Sequence, residues 1–137
     1  MNSNAGFTLI ELVITVAILI ILAAIAVPNY RNHVIRSNRT DGMATLMRIA
    51  AAQEKFYLQN NSYTADLSAA GLNVGNSSDY YTYVVASDDL TSRFTATASP
   101  VESQKQDDKC ATLSLDNFGN KSARDGDNND TTSTCWR

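Results

Sequence analysis

The sequence has few of the side chains on which catalytic and metal sites depend. Its 137 residues include one histidine and two cysteines, which is too few for a common zinc cluster and leaves little for a histidine-based active site. There is no glycine-rich phosphate loop, nucleophile elbow or pair of acids on one short element. The sequence therefore argues against an enzyme, and it implies no cofactor and no resident metal.

Positive charge is also scarce. Eleven Lys and Arg residues stand against fourteen Asp and Glu residues, which gives a formal net charge of −3. The whole chain has no electrostatic attraction for nucleic acid, so binding to DNA or RNA requires a local basic patch. The length corresponds to one domain.

Long aliphatic side chains are abundant, but they are concentrated in one segment. Between residues 7 and 27 only Thr8, Glu11 and Thr15 are polar, and a helix of this length spans about 30 Å, the thickness of a bilayer core. The pattern predicts a transmembrane helix. A carboxylate in such a span costs several kcal/mol and usually marks function. The span contains no cation, so Glu11 needs a partner from another molecule or from a new N-terminus.

Residues 6–11, Gly-Phe-Thr-Leu-Ile-Glu, resemble the prepilin motif of type IV pilins. The chain is most similar to type IVa prepilins and, within them, to minor pilins of the PilE/ComP type. The resemblance implies that prepilin peptidase cleaves between Gly6 and Phe7, removes the leader 1–6 and methylates the Phe7 amine. Residues 7–28 are then the transmembrane and assembly helix. Cleavage creates a cation that can pair with Glu11 of a neighbouring subunit in a fibre, which would fix the axial register.

The resemblance implies an α+β pilin fold, in which a long N-terminal helix packs against a small antiparallel sheet. The globular head is expected over residues 29–137 and includes the second half of the helix. Pro28 predicts a kink and not a stop, because helical periodicity resumes and continues to about residue 59. The apolar positions of this amphipathic half are Met43, Leu46, Met47, Ala50, Tyr57 and Leu58. The polar positions between them are Arg39, Asp41, Arg48, Gln53 and Lys55.

Strand patterns follow the helix. β-Branched, aromatic and alternating residues predict strands at 80–86, 93–99 and 111–115, with a short fourth strand near 121–123. The expected core residues of the sheet are Tyr83, Val85, Phe94, Leu113 and Leu115. A different register would replace Tyr83 with Tyr80 or Thr82.

The two cysteines are Cys110 and Cys135. The resemblance implies that they form a disulfide that delimits the D-region, 110–135, a surface loop held to the sheet. Such a bond would add about 3 kcal/mol to stability in the chain-entropy model. Two free thiols or a metal-binding pair are the alternatives.

The resemblance implies a structural subunit of a type IV pilus, held by a single span in the inner membrane and then packed into an extracellular fibre. Its partners would be other pilin subunits, prepilin peptidase and the assembly machinery, and its roles pilus assembly, twitching motility, adhesion or DNA uptake. A pseudopilin of a type II secretion system is a further alternative.

A second alternative is a ComP-like receptor that binds DNA. The candidate contacts are Arg93, Lys105, Lys109, Lys121 and Arg124. From residue 71 onward, however, six basic residues face ten acidic ones, so DNA binding requires these cations to be segregated on one surface.

The segment 125–130 resembles the start of a calcium loop, with candidate ligands Asp125, Asp127 and Asn129. Asp130 and Trp136 stand where such a loop needs glycine and glutamate, so a solvated polar loop is favoured.

Overall fold

The computed structural model describes residues 7–137, so the predicted leader, including Gly6, lies outside the described residues. The longest element is helix α1, Leu9–Asn60. It runs through Pro28 without interruption, and the kink expected at this residue stays a prediction. The helix ends close to the predicted position, because Asn61 takes a left-handed φ of 52° while its N–H donates to the Tyr57 carbonyl (2.8 Å). Asparagine tolerates this conformation better than most residues.

The chain divides into two compact units, Met1–Val34 and Ile35–Arg137. The first contains the apolar part of α1. In the second, the remainder of α1 packs against a four-stranded sheet, which confirms the predicted α+β fold.

The sheet is antiparallel, and its strands lie side by side in chain order. They are β1, Tyr81–Ala86; β2, Thr95–Pro100; β3, Thr112–Asp116; and β4, Lys121–Arg124. One register row joins Val84, Thr97, Ser114 and Ser122 across all four strands. Two 3₁₀ segments, Glu102–Gln106 and Asp108–Cys110, connect β2 to β3, and the short helix α2, Thr132–Cys135, follows β4.

The core lies between α1 and one face of the sheet. All five core residues predicted for the sheet are buried. Tyr81, which was not among them, is fully buried as well, because it shares the inward face of β1 with Tyr83 and Val85. From α1, Leu46 and Ile49 complete the centre of the core.

Gly42 is the point at which α1 comes closest to Tyr81. A Cβ atom at this position would lie 2.9 to 3.2 Å from three atoms of the Tyr81 ring. Any side chain here would therefore push the helix and the ring apart.

The side of α1 that faces the core differs from the prediction at four positions. Met47 and Leu58, predicted to be apolar contacts, are 47% and 84% exposed. Gln53, placed among the polar positions, is fully buried, and its side-chain amide bonds both the N–H and the C=O of Thr64. Arg39, also placed among them, is largely buried in an ion pair. These polar groups face inward because loops at the rim of the core offer them hydrogen-bond partners.

Candidate functional site

In the part of the chain that the structure describes, the apolar part of α1 is an exposed surface. Its large aliphatic side chains are exposed throughout, from Leu9 at 80% to Val27 at 56%. Within the described residues, α1 is the one helix whose length and composition suit a membrane crossing, with a mean hydropathy of 3.0 in its most apolar window. A surface of this kind requires lipid or other apolar surfaces around it.

Glu11 lies within this surface and bonds its own helix. The Thr8 hydroxyl and the Thr8 N–H both donate to Glu11 Oε2, at 3.1 and 3.3 Å, and the Glu11 N–H donates to Thr8 Oγ1 at 3.3 Å. The sequence carries a signal for this arrangement, since Thr-x-x-Glu before an apolar run is a capping box. The prediction considered only an external partner for Glu11.

A buried polar network joins α1 to the first 3₁₀ segment. Arg39 donates two hydrogen bonds to the Asp107 carboxylate, at 2.7 and 2.8 Å. Gln104, which is fully buried, donates to the Ile35 carbonyl and to the Tyr81 hydroxyl, both at 3.0 Å. Burial raises the pKa of Tyr81 to about 12, so its hydroxyl stays neutral and available to the network. No local sequence pattern pairs residues almost 70 positions apart, and the network was not predicted.

The disulfide predicted between Cys110 and Cys135 is present, with Cα atoms 5.9 Å apart, and both residues are buried. The residues it encloses include β3 and β4. The segment after β4 folds back onto that strand, because Thr131 N–H donates to the Ala123 carbonyl (2.9 Å) and Trp136 Nε1 donates to the Ser122 carbonyl (2.8 Å).

The five cations predicted as DNA contacts are exposed but distributed over several elements. Lys121 and Arg124 begin and end β4. Lys105 and Lys109 belong to the two 3₁₀ segments, and Arg93 lies just before β2. The DNA contacts stay a prediction.

Within this set, Lys121 and Arg124 have defined surroundings. The Lys121 ammonium lies 5.3 Å from the centre of the Trp136 ring, a cation–π geometry. Arg124 donates to the Asn128 carbonyl at 3.0 Å and helps to lower the pKa of Asp130, after the hydrogen bonds from Thr132. The cation at the end of β4 therefore lies among acidic and polar groups.

Asp125, the first calcium candidate, is used as a hydrogen-bond acceptor. Its carboxylate accepts bonds from the Asn129 side chain and from the backbone N–H groups of Asp127 and Asn129. Bonds from the Asn129 side chain, followed by those from backbone N–H groups, lower the pKa of Asp125. Over residues 7–137, no three His, Cys, Asp or Glu side chains converge as a metal site. The solvated polar loop favoured by the sequence stays the prediction for this segment, with calcium binding as the weaker alternative.

Comparison with known protein families gives two matches. Residues 28–114 match the family described as "Type IV minor pilin ComP, DNA uptake sequence receptor". Residues 1–27 match the prokaryotic N-terminal methylation motif. The first match covers most of the head, and the second covers the apolar segment that carries Glu11.

Individual relatives agree with these matches. The chain is 44% identical over 61 residues to the type IV major pilin protein PilA of Myxococcus xanthus, a stretch that covers 44% of this chain and 28% of that protein. It spans about half the length of two further curated relatives, with 53% and 54% of their residues covered.

Two solved structures share the fold. A type IV pilin from Shewanella oneidensis superposes with a TM-score of 0.51 at 31% identity and covers 64% of this chain and 89% of that one. The non-core minor pilin PilV of Neisseria meningitidis superposes with a TM-score of 0.55 over 71% of this chain and 93% of that one, and at 17% identity it supports the fold alone.

Proposed function

Because this chain belongs to the type IV minor pilin ComP family, we propose that it serves as a minor subunit that enters a type IV pilus through its N-terminal helix. As a type IV pilin it is a structural protein, and we propose that it has no enzymatic activity. Prepilin peptidase is proposed to cut between Gly6 and Phe7 and to methylate the Phe7 amine. The single span then holds the subunit in the inner membrane until the subunit joins the extracellular fibre.

The observation that carries this proposal is the lone acid on an uncovered apolar helix. Among the described residues before Arg31, Glu11 is the one Asp, Glu, His, Lys or Arg side chain in α1. A processed Phe7 amine on a neighbouring subunit would neutralise it, and the aliphatic side chains of parallel helices would cover each other. A bundle of such helices both neutralises Glu11 and covers the aliphatic side chains, whereas lipid alone covers the side chains and leaves the charge unpaired.

The test is the variant Glu11→Ala, with Thr15→Ala as the matched control at the next polar position of the span. Glu11→Ala is expected to be cleaved and held in the membrane but to enter sheared fibres at least tenfold less, because a buried amine loses its partner. Thr15→Ala is expected to assemble like the wild type. Normal incorporation of Glu11→Ala at native expression would contradict the charge-pair mechanism.

DNA binding by the head is the second candidate function. The family matched by residues 28–114 is described as a receptor for the DNA uptake sequence, and Lys121 and Trp136 place a cation beside an aromatic ring at the sheet edge. Such pairs bind both the phosphates and the bases of nucleic acids. The acidic balance of the head opposes non-specific attraction, so we propose that binding depends on the few cations near β4.

A gel shift with the full-length chain in detergent, repeated across a salt series, tests this second function. Lys121→Ala together with Arg124→Ala is expected to weaken binding and to reduce the slope of log K against log salt by about 2, since each phosphate contact contributes about 0.9. Lys55→Ala, on the exposed side of α1, is the control. Absence of retardation at low ionic strength would exclude the DNA-binding role and leave the structural role intact.

A further inference from the structure

The first turn of α1 is closed by a reciprocal set of hydrogen bonds. The Thr8 carbonyl accepts the N–H of Leu12 (3.2 Å), which makes Thr8 the residue that caps the helix. Its hydroxyl accepts the Glu11 N–H, and the Glu11 carboxylate in turn accepts the Thr8 N–H and the Thr8 hydroxyl. Thr8 and Glu11 therefore occupy the two positions of a capping box.

These hydrogen bonds contribute more to the stability of the helix in apolar surroundings than they would in water. The first N–H groups of any helix lack partners within the helix, and hydrocarbon supplies no water to replace them. The exposed neighbours Leu9, Ile10 and Leu12 have only aliphatic side chains. Thr8 thus supplies a side-chain donor to the carboxylate and a side-chain acceptor to the Glu11 N–H.

The capping box does not depend on processing or assembly. All its atoms belong to residues 8 and 11, which lie after the proposed cleavage point, so both precursor and mature chain can form it. The ion pair between Glu11 and a Phe7 amine, by contrast, requires cleavage and a second subunit. Glu11 can therefore have one partner before assembly and another within the fibre.

We propose that Thr8 is a positioning residue for Glu11. Thr8 keeps the Glu11 carboxylate hydrogen-bonded to its own helix while the subunit is held in the membrane before assembly. This inference rests on the proposed function, because it assumes a membrane-held stage before assembly. Glu11 then has two separate tasks, which are capping its own helix and pairing with an amine. Capping needs only an oxygen acceptor, which glutamine also provides, whereas pairing with the amine needs the negative charge.

Three variants distinguish these tasks. Thr8→Val keeps the shape of the side chain and removes the hydroxyl, Thr8→Ser keeps the hydroxyl, and Glu11→Gln keeps the capping oxygen and removes the charge. The half-life of each subunit is measured by pulse-chase in a host that has prepilin peptidase but lacks the assembly ATPase, so that loss reflects degradation in the membrane. Incorporation into sheared fibres is then measured in an assembly-competent host and divided by the size of the membrane pool.

Thr8→Val is expected to shorten the membrane half-life about fivefold, as loss of a helix cap destabilises the first turn. Thr8→Ser should restore it to within about twofold, a rescue that depends on the hydroxyl alone. Glu11→Gln should keep the wild-type half-life and enter fibres poorly. A wild-type half-life for Thr8→Val, or equal losses for Thr8→Ser and Thr8→Val, would overturn the inference.

The mass of each subunit shows whether cleavage still occurs. If Thr8→Val blocks cleavage, the half-lives are compared in a host without the peptidase, where the capping box should act in the same way. If the wild type itself never enters fibres, the proposed function fails, while the order of the half-lives still tests the capping box. If Glu11→Ala fails to assemble but Thr8→Val is as long-lived as the wild type, only the present inference fails.

Discussion

Asp107 is a charge almost entirely removed from water. Its side chain is 4% exposed, and that of its partner Arg39 is 14% exposed. Removal of one member of a buried pair costs more than the pair contributes, because the remaining charge keeps its desolvation penalty. Gln104 belongs to the same network, and loss of its partners would be destabilising because a buried amide without hydrogen bonds is costly.

Asp107→Ala is therefore expected to lower the free energy of unfolding by about 3–5 kcal/mol. Urea denaturation of the head, followed by circular dichroism, measures the change. Asp88→Ala, at an exposed loop position, is the control and should change stability by less than about 0.5 kcal/mol. The double variant Arg39→Met with Asp107→Leu should recover much of the loss, and a loss as large as that of Asp107→Ala would contradict the explanation.

Asp116 is expected to make the stability of the head depend on pH. Burial alone would raise its pKa, but hydrogen bonds from the Asn120 side chain and from the N–H groups of Asn120 and Phe118 lower the pKa below 3.8. A group whose pKa is lower in the folded state stabilises the fold above its unfolded pKa, and this stabilisation is lost as the pH falls through the folded pKa.

The melting temperature of the head is expected to fall on acidification below about pH 4, and the fall should be smaller in Asp116→Asn than in the wild type. Asparagine keeps an acceptor oxygen but does not titrate. Asp88→Asn, at an exposed loop position outside this set of hydrogen bonds, is the control, and its melting temperature should fall on acidification as much as that of the wild type. Identical acid transitions for all three proteins would assign the pH dependence to other groups.

At the scale of elements, alternation along strands was a reliable guide. The four strands lie within two residues of their predicted bounds, because β-branched, aromatic or alternating residues mark β1, β2 and β3 and turn residues separate the runs. Tyr81 was missed although it shares the alternation of Tyr83 and Val85. The side of α1 was harder to predict, because loops distant in sequence decide whether Gln53 and Arg39 face inward.

In the candidate site as well, local features could be predicted from the sequence and long-range contacts could not. The Thr8–Glu11 capping box is a local pattern that the sequence contains in full. The network of Arg39, Gln104 and Asp107 depends on where a 3₁₀ segment meets α1, and short-range periodicity carries no information about that contact.

Gly42 decides how closely α1 and β1 approach. Gly42→Ala would gain about 1 kcal/mol of helix propensity, but overpacking against Tyr81 costs about 1–3 kcal/mol. The ring has little freedom to move because its hydroxyl is bonded to Gln104. We expect net destabilisation that increases in Gly42→Val, measured by urea unfolding. Ala44→Gly, on the exposed side of the same helix, is the control for propensity, and a stabilised Gly42→Ala variant would contradict the close approach.

At the scale of the whole molecule, the two units have different solvent requirements. The first exposes aliphatic side chains along its helix, whereas the second has its own core of α1, sheet and disulfide. A chain that begins at Ile35 should therefore be soluble and monomeric without detergent, while the full chain should need detergent or lipid.

Size-exclusion chromatography and thermal unfolding of both forms test this expectation. The truncated chain should melt within a few degrees of the head of the full-length chain in detergent, since the core residues lie after Ile35. Aggregation of the truncated chain would show that residues 7–34 contribute to the stability of the head.

The bond between Cys110 and Cys135 has a consequence for resistance to proteolysis. Because β3 and β4 lie between the two cysteines, a secreted protease that cuts the backbone once between them cannot release either fragment. Both pieces stay covalently tethered and remain hydrogen-bonded to their neighbouring strands. Two of the four strands are thus protected against a single nick, and this durability would matter most in an extracellular fibre, the location proposed for this chain.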